Sequence, residues 1–145
     1  MKRPKILYLA PEMAFPGHHG GSSHVQGAVE SLRRLGNKVL VVSRFKKGLK
    51  FYENINNLEI LRLPVFGNGL IRNCLYVFYS FIFTMFFILF KDINLVFERG
   101  RIFGGTGVFL ANLFNRKSVY EMIEPYLSIA RAENKLNKNL WLRKE

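Results

Sequence analysis

Two short apolar runs with an amphipathic stretch between them constrain most strongly what this chain can fold into. Ile6-Leu7-Tyr8-Leu9-Ala10 and Val39-Leu40-Val41-Val42 are continuously apolar rather than alternating, as strands buried on both faces are. Between them Val25, Ala28, Val29, Leu32 and Leu35 recur at spacings of three and four, which predicts one apolar helix face. Ser23, with Gln26 three residues on, has the pattern of a capping box and sets the expected helix start. Gly36 supplies the left-handed residue that ends a helix. Strand, helix and strand in this order form a βαβ unit.

The rest of the chain repeats the alternation. Residues 45–57 are polar, rich in Lys and Asn, and read as a loop. Leu58–Leu63 predicts a strand stopped by Pro64, and a long apolar block runs from Cys74 to Phe90. Asp92–Phe97 predicts the next strand, Val108–Phe114 a helix introduced by Gly104, Gly105 and Gly107, and Ser118–Ile123 a last strand. Strands alternating with helices imply an α/β fold: a Rossmann-like parallel sheet with flanking helices. Residues 1–125 are expected to form that domain, and residues 126–145 a basic C-terminal helix or tail. In such folds ligands sit beyond the carboxyl ends of the strands. Residues 11–23, 43–47, 98–105 and 124–126 therefore share the rim where chemistry is expected.

Charge and cysteine usage narrow the surroundings. Lys and Arg number 22 against 10 acidic residues, a formal charge of +12, which favours a polyanionic partner such as nucleic acid, an anionic membrane face or a phosphorylated ligand. The basic residues are scattered over every segment and match no nucleic-acid recognition motif, so no nucleic-acid partner is expected. A lone cysteine, Cys74, can form no internal disulfide, which fits a reducing compartment. Ile6–Ala10 is too short for a signal-peptide core, so no export signal is read.

The junction PGHHGGSSHVQG, residues 16–27, carries the first candidate site. Glycine permits close approach of a ligand to the backbone, and a helix N-terminus offers unpaired N–H groups and partial positive charge. Gly20, Gly21, Ser22 and Ser23 stand at such a start and suit a phosphate or pyrophosphate; a plain connecting turn is the competing reading. No Gly-Lys-Ser/Thr follows, so it is no P-loop, and no GxGxxG argues for a nicotinamide or flavin site. His18, His19 and His24 have no carboxylate or thiol at ligand spacing beside them, so no metal is expected. No GxSxG elbow argues for a serine hydrolase.

Two longer segments resemble a known family. KILYLAPEMAFPGHHGGSSHVQGAVESLRRLGNKVLVVSR is similar to the start of the retaining glycosyltransferases of the GT-B fold, family 4, with their Gly-Gly loop followed by His-Val, a helix, and a Gly-Asn-x-Val strand. DINLVFERGRIFGGTGVFLANLFNRKSVYEMIEP looks like the same family's Glu-Arg strand end, its glycine-rich helix start and the strand beyond. The resemblance implies one half of a GT-B fold, the acceptor-side domain, transferring a hexose from a nucleotide-sugar substrate with no cofactor. It implies that Gly20, Gly21 and Ser22 lie against the donor diphosphate. Ser23, His24, Glu98, Arg99, Gly104 and Gly105 would then line the acceptor side. For Glu98-Arg99 the competing reading is a surface ion pair of little worth. Where relatives often carry Glu-x-Asn-x-Pro, this chain has Glu121-Met122-Ile123-Glu124-Pro125, which puts any contact by that amide in doubt. The resemblance also implies a nucleotide-binding second half with a Glu-x7-Glu motif, which these residues do not contain. The chain alone is expected to be inactive until a complementary domain or chain joins it. The alternative is a non-catalytic, membrane-associated partner subunit that recruits a separate catalytic domain.

The block CLYVFYSFIFTMFFILF, 17 residues with only Ser80 and Thr84 polar, sits near the lower length limit for a bilayer span of about 17–20 residues. Three placements fit it: a helix in the membrane interface, a helix buried between the sheet and a partner domain, and a transmembrane helix. With the charge of +12, it sets the expectation of a cytoplasmic protein held peripherally on the inner face of the cell membrane, with a membrane-linked acceptor.

Overall fold

In the computed structural model, residues 3–10, 14–17, 20–67, 69–100 and 104–122 are described. They form one six-stranded sheet with helices on both faces. The elements run β1 (Lys5–Ala10), α1 (Gly20–Arg34), β2 (Lys38–Arg44), β3 (Tyr52–Ile55), β4 (Leu58–Leu63), α2 (Gly69–Phe90), β5 (Leu95–Gly100), α3 (Thr106–Leu113) and β6 (Lys117–Met122). The spatial order is β3-β4-β2-β1-β5-β6. Every ladder is parallel except β3 against β4. This is the expected α/β Rossmann-like architecture, with an added antiparallel edge.

The continuous apolar runs are explained by burial on both faces. Tyr8, Val39, Val41 and Val25 belong to a core under α1, together with Leu58 and Ile60. Leu7, Leu9, Leu40 and Val42 face the opposite way, into a core with Tyr76, Phe87, Ile88 and Leu110 from α2 and α3. Each fully buried aliphatic or aromatic side chain contributes about 1.5–3 kcal/mol relative to exposure. β1 and β2 supply such side chains to both layers.

Several boundaries differ from expectation. Helix α1 starts at Gly20, not Ser23, so Ser23 lies inside the first turn and the capping box does not form. The helix ends at Arg34 in a Schellman arrangement: the Gly36 amide donates to the Arg33 carbonyl and the Asn37 amide to the Leu32 carbonyl. Gly36 takes φ 84°, as a left-handed cap requires. Leu35 falls past the helix end and is exposed.

The stretch read as a loop contains β3, which returns along β4 through Asn56 and Asn57. Both have positive φ, 41° and 67°, the geometry of a tight hairpin turn for which Asn is suited. β5 is shifted by three residues from the expected Asp92–Phe97: it begins at Leu95 and runs through Glu98 and Arg99 to Gly100. The helix after it begins at Thr106 rather than Val108, and β6 begins at Lys117. Ile123 and the tail of residues 126–145 lie outside the described residues.

The apolar block forms the body of α2, a 22-residue helix. It connects β4 to β5, two strands of the same sheet, and packs on that sheet through Tyr76, Phe87 and Ile88. Both ends of the helix are thus tied to one body.

Candidate functional site at the strand carboxyl ends

The strand order reverses direction at β1. The chain winds outward from β1 to β2 through α1 on one face, then crosses back to β5 through α2 on the other. At such a switch point the loops leaving two neighbouring strands part in opposite directions and leave a crevice at their carboxyl ends. The segment after β1 leads to Gly20, and the segment after β5 leads to Gly105. The candidate residues therefore come from the loops that flank this crevice.

On the β1 side, Gly20, Gly21 and Ser22 form the first turn of α1. The opening N–H groups of a helix have no partner within it. The Ser22 side chain is buried and its hydroxyl donates to the Ala14 carbonyl at 3.3 Å. A Cβ on Gly17 would stand 2.6 Å from that hydroxyl, so the Ala14–Gly17 segment lies directly against the helix start. Ser22 thus holds the loop through its side chain, and only its backbone stays on the helix end. Ser23 and His24 are exposed. His18 and His19 lie outside the described residues.

On the β5 side, Glu98 is 2% exposed and Arg99 8%, which excludes a surface ion pair. Strand alternation sends them to opposite faces. Glu98 goes to the α3 face, where it accepts hydrogen bonds from the amides of Gly105 at 2.7 Å, Gly107 at 2.8 Å and Val108 at 3.1 Å. The carboxylate is the cap of α3, satisfying amides the helix cannot and opposing the positive end of its dipole. Gly105 precedes the helix at φ 106°, a conformation in which a Cβ is strained. At Gly107 a Cβ would overlap Leu9 Cδ1 and stand 3.0 Å from Val96 Cγ1, so α3 meets the sheet there with no room for a side chain. Gly100 and Gly104 lie against the Tyr120 ring.

Arg99 goes to the α1 face. Its Nη1 lies 3.8 Å from Glu121 Oε1, and His24 Nε2 lies 3.0 Å from the same oxygen. Glu121 thus links the second turn of α1 to the ends of β5 and β6. Tyr8 sits beside them, stacked on Phe97 at 4.9 Å between ring centroids. Burial, followed by the nearby Glu121 carboxylate, pushes its phenol up to about 12. The Tyr8 hydroxyl and Arg99 Nε and Nη1 are buried without a hydrogen bond at good geometry.

The sequence reading did not assign Tyr8, Glu121 or Arg62 to the site. Arg62, 1% exposed, donates from Nε to the Phe15 carbonyl at 2.7 Å, and from its two terminal nitrogens to the Lys50 carbonyl and the Glu53 carboxylate. It ties β4 to the β1–α1 segment and to the β3 hairpin. A signal was available: with Leu58 and Ile60 facing the core, alternation places Arg62 on the same face. Among the described residues no group of three or more His, Cys, Asp and Glu gathers as a metal site would.

Comparison with known proteins bears on the fold. No family model matches the chain, and no curated protein does. Among solved structures, the C-terminal domain of PF1911 hydrogenase from Pyrococcus furiosus superimposes with TM-score 0.61 at 14% identity, covering 84% of this chain and 94% of that one. Sucrose-phosphate synthase from Thermosynechococcus elongatus gives TM-score 0.57 at 16% identity, covering 81% of this chain and 32% of that one. A glycosyltransferase from Rickettsia africae gives TM-score 0.53 at 14% identity, with 83% and 30% covered. The chain shares its fold with all three, and it spans about a third of the length of the last two proteins. A protein named as a hydrogenase shares the same fold, so the architecture by itself leaves the chemistry to the site.

Proposed function

We propose that this chain is the acceptor-side half of a retaining glycosyltransferase of the GT-B type, family 4. In this reading it transfers a hexose from a nucleotide-sugar to a membrane-linked acceptor when a nucleotide-binding half completes the cleft. The observation that carries the reading is that the first turn of α1, Gly20 to Ser22, and the glycine-rich α3 start capped by Glu98 follow β1 and β5, the adjacent strands of one switch point.

As the sugar–phosphate bond breaks, negative charge grows on the leaving diphosphate. Backbone amides at a helix start, aligned with the helix dipole, stabilise that charge without reorganising. Gly20 and Gly21 put no side chain between those amides and the diphosphate. His24 and Arg99 would face the acceptor, steadied by Glu121, while Glu98 acts through the backbone it caps. The protein works at the cytoplasmic face of the cell membrane, held by α2. The reaction needs no metal or cofactor in this scheme.

Titration with inorganic pyrophosphate, followed by amide NMR, tests the donor-side reading. Shifts should centre on Gly20, Gly21 and Ser22; shifts confined to the basic residues at the other end of the sheet would defeat it. Transfer of label from nucleotide-sugars into the lipid-extractable fraction, with a nucleotide-binding half supplied, tests the activity. A non-catalytic partner subunit would bind that half and give no transfer with the sugar donors that the recruited enzyme does not already use.

A further inference from the structure

Helix α2 keeps a large apolar surface outward. Ser80 and Thr84 are buried at 2% and 0% exposure beside Tyr76, Phe87 and Ile88, while Phe78 and Phe90 face solvent at 60% and 72%. A surface helix of a water-facing domain turns a polar face outward instead. Phe86 and Leu89 extend the exposed stripe, and Phe109 and Leu113 on α3 continue it. Only 28% of the window Asn73–Phe90 is buried, at a mean hydropathy of 1.9. Exposed apolar surface of this extent marks an interaction site.

The end of that stripe meets a basic rim. Lys5, Lys38 and Lys91 line one depression at the amino ends of the strands, and Arg116 and Lys117 join Lys5 and Lys38 around the adjoining one. Two acids, Glu59 and Asp92, also stand there, and Glu59 is paired with Lys91 at 2.6 Å. Positive charge therefore prevails on this rim.

We propose that the outer face of α2, continued by α3, lies in the interface of an anionic bilayer, with the basic rim on its headgroups. This rests on the membrane-surface reading given above and adds to it the face, the mode and the lipid charge. The helix lies in the interface rather than crossing it, because β4 and β5, which it joins, are strands of one sheet. At about 1.5 Å per residue, the exposed residues from Phe78 to Phe90 lay an apolar ridge along the surface. A second copy of the chain is the poorer occupant. Two molecules of formal charge +12 repel, whereas an anionic leaflet attracts, with about 1 kcal/mol for each Lys or Arg near it.

The test is flotation of the full chain with vesicles of phosphatidylcholine alone and of equal parts phosphatidylcholine and phosphatidylglycerol, with light scattering for oligomeric state. The expected result is binding to the mixed vesicles about tenfold or more above the neutral ones, weakened by salt. The Phe86→Ser/Phe90→Ser variant, altered only at exposed positions, should lose binding to both. The Lys38→Glu/Lys117→Glu variant should lose the preference for the anionic vesicles. Equal, salt-insensitive binding to both vesicle types overturns the headgroup assignment and leaves the membrane-surface reading standing. Absence of binding to either overturns both. A dimer that depends on Phe86 and Phe90, with no vesicle binding, assigns the face to a second copy and overturns the proposal.

Discussion

Glu98 Oε2 lies 2.8 Å from the amide nitrogen of Gly107, and the same carboxylate reaches the amides of Gly105 and Val108. A strand-end acid nine residues upstream thus caps the helix that leaves the candidate crevice. Replacing a charged acceptor of buried amides costs about 1–3 kcal/mol. Glu98→Gln should lower stability by that order, and Glu98→Ala by more, measured by urea denaturation. An unchanged midpoint in both variants would show that the cap contributes nothing.

Gly107 and Gly27 should respond to alanine in opposite directions. At Gly107 the added methyl would overlap Leu9 and crowd Val96, and overpacking costs about 1–3 kcal/mol. At Gly27, inside α1, nothing lies within 4 Å of a Cβ, and alanine is favoured over glycine in helices by about 0.8–1.0 kcal/mol. Thermal midpoints should fall for Gly107→Ala and rise for Gly27→Ala.

Arg62 is buried among three partners drawn from separate segments. Its loss leaves the Phe15 and Lys50 carbonyls and the partly exposed Glu53 carboxylate without their donor, at about 1–3 kcal/mol for each acceptor left buried and unpaired. Arg62→Ala should therefore be among the most destabilising single changes in the chain. Hydrogen exchange should rise first at Phe15 and in β3, the segments the guanidinium holds. Uniform loosening of the whole sheet instead would mean that Arg62 is not a local clamp.

Tyr8 sets an alkaline limit. Its phenol is raised from about 10 in the unfolded chain to about 12 in the fold, chiefly by burial and then by Glu121. The folded state thus holds a proton that the unfolded state has already released. The stabilisation is fully present below pH about 10 and is lost as pH rises towards 12. Tyr8→Phe should flatten the stability profile in this window while leaving stability near neutrality little changed. A profile identical to the parent would show that Tyr8 titrates normally.

The order of strands and helices was legible because burial on both faces leaves a continuous apolar run, as in β1 and β2. The hairpin was missed because β3, Tyr52–Ile55, is an edge strand with mostly exposed side chains and leaves no apolar signature. β5 was placed three residues early because Glu98 and Arg99 look like the end of a strand; both are buried, and their partners are brought in by α3 and β6. The candidate site was legible as a cluster of loops, but its division of labour was not. Ser22 turns its hydroxyl inward, Glu98 acts on backbone, and Glu121 becomes the shared acceptor beside His24 and Arg99.

By itself, the sequence determined a Rossmann-like alternation and the end of the sheet where its glycine-rich junctions collect, since apolar periodicity and turn residues act locally. Only the tertiary structure decided which way α2 faces and which polar groups are already taken. Those outcomes depend on what the sheet brings against each side chain across tens of residues, and no local pattern carries that information. The inward serine and threonine of α2 show this most plainly: composition described an apolar helix, and packing left Phe78, Phe86 and Phe90 outward.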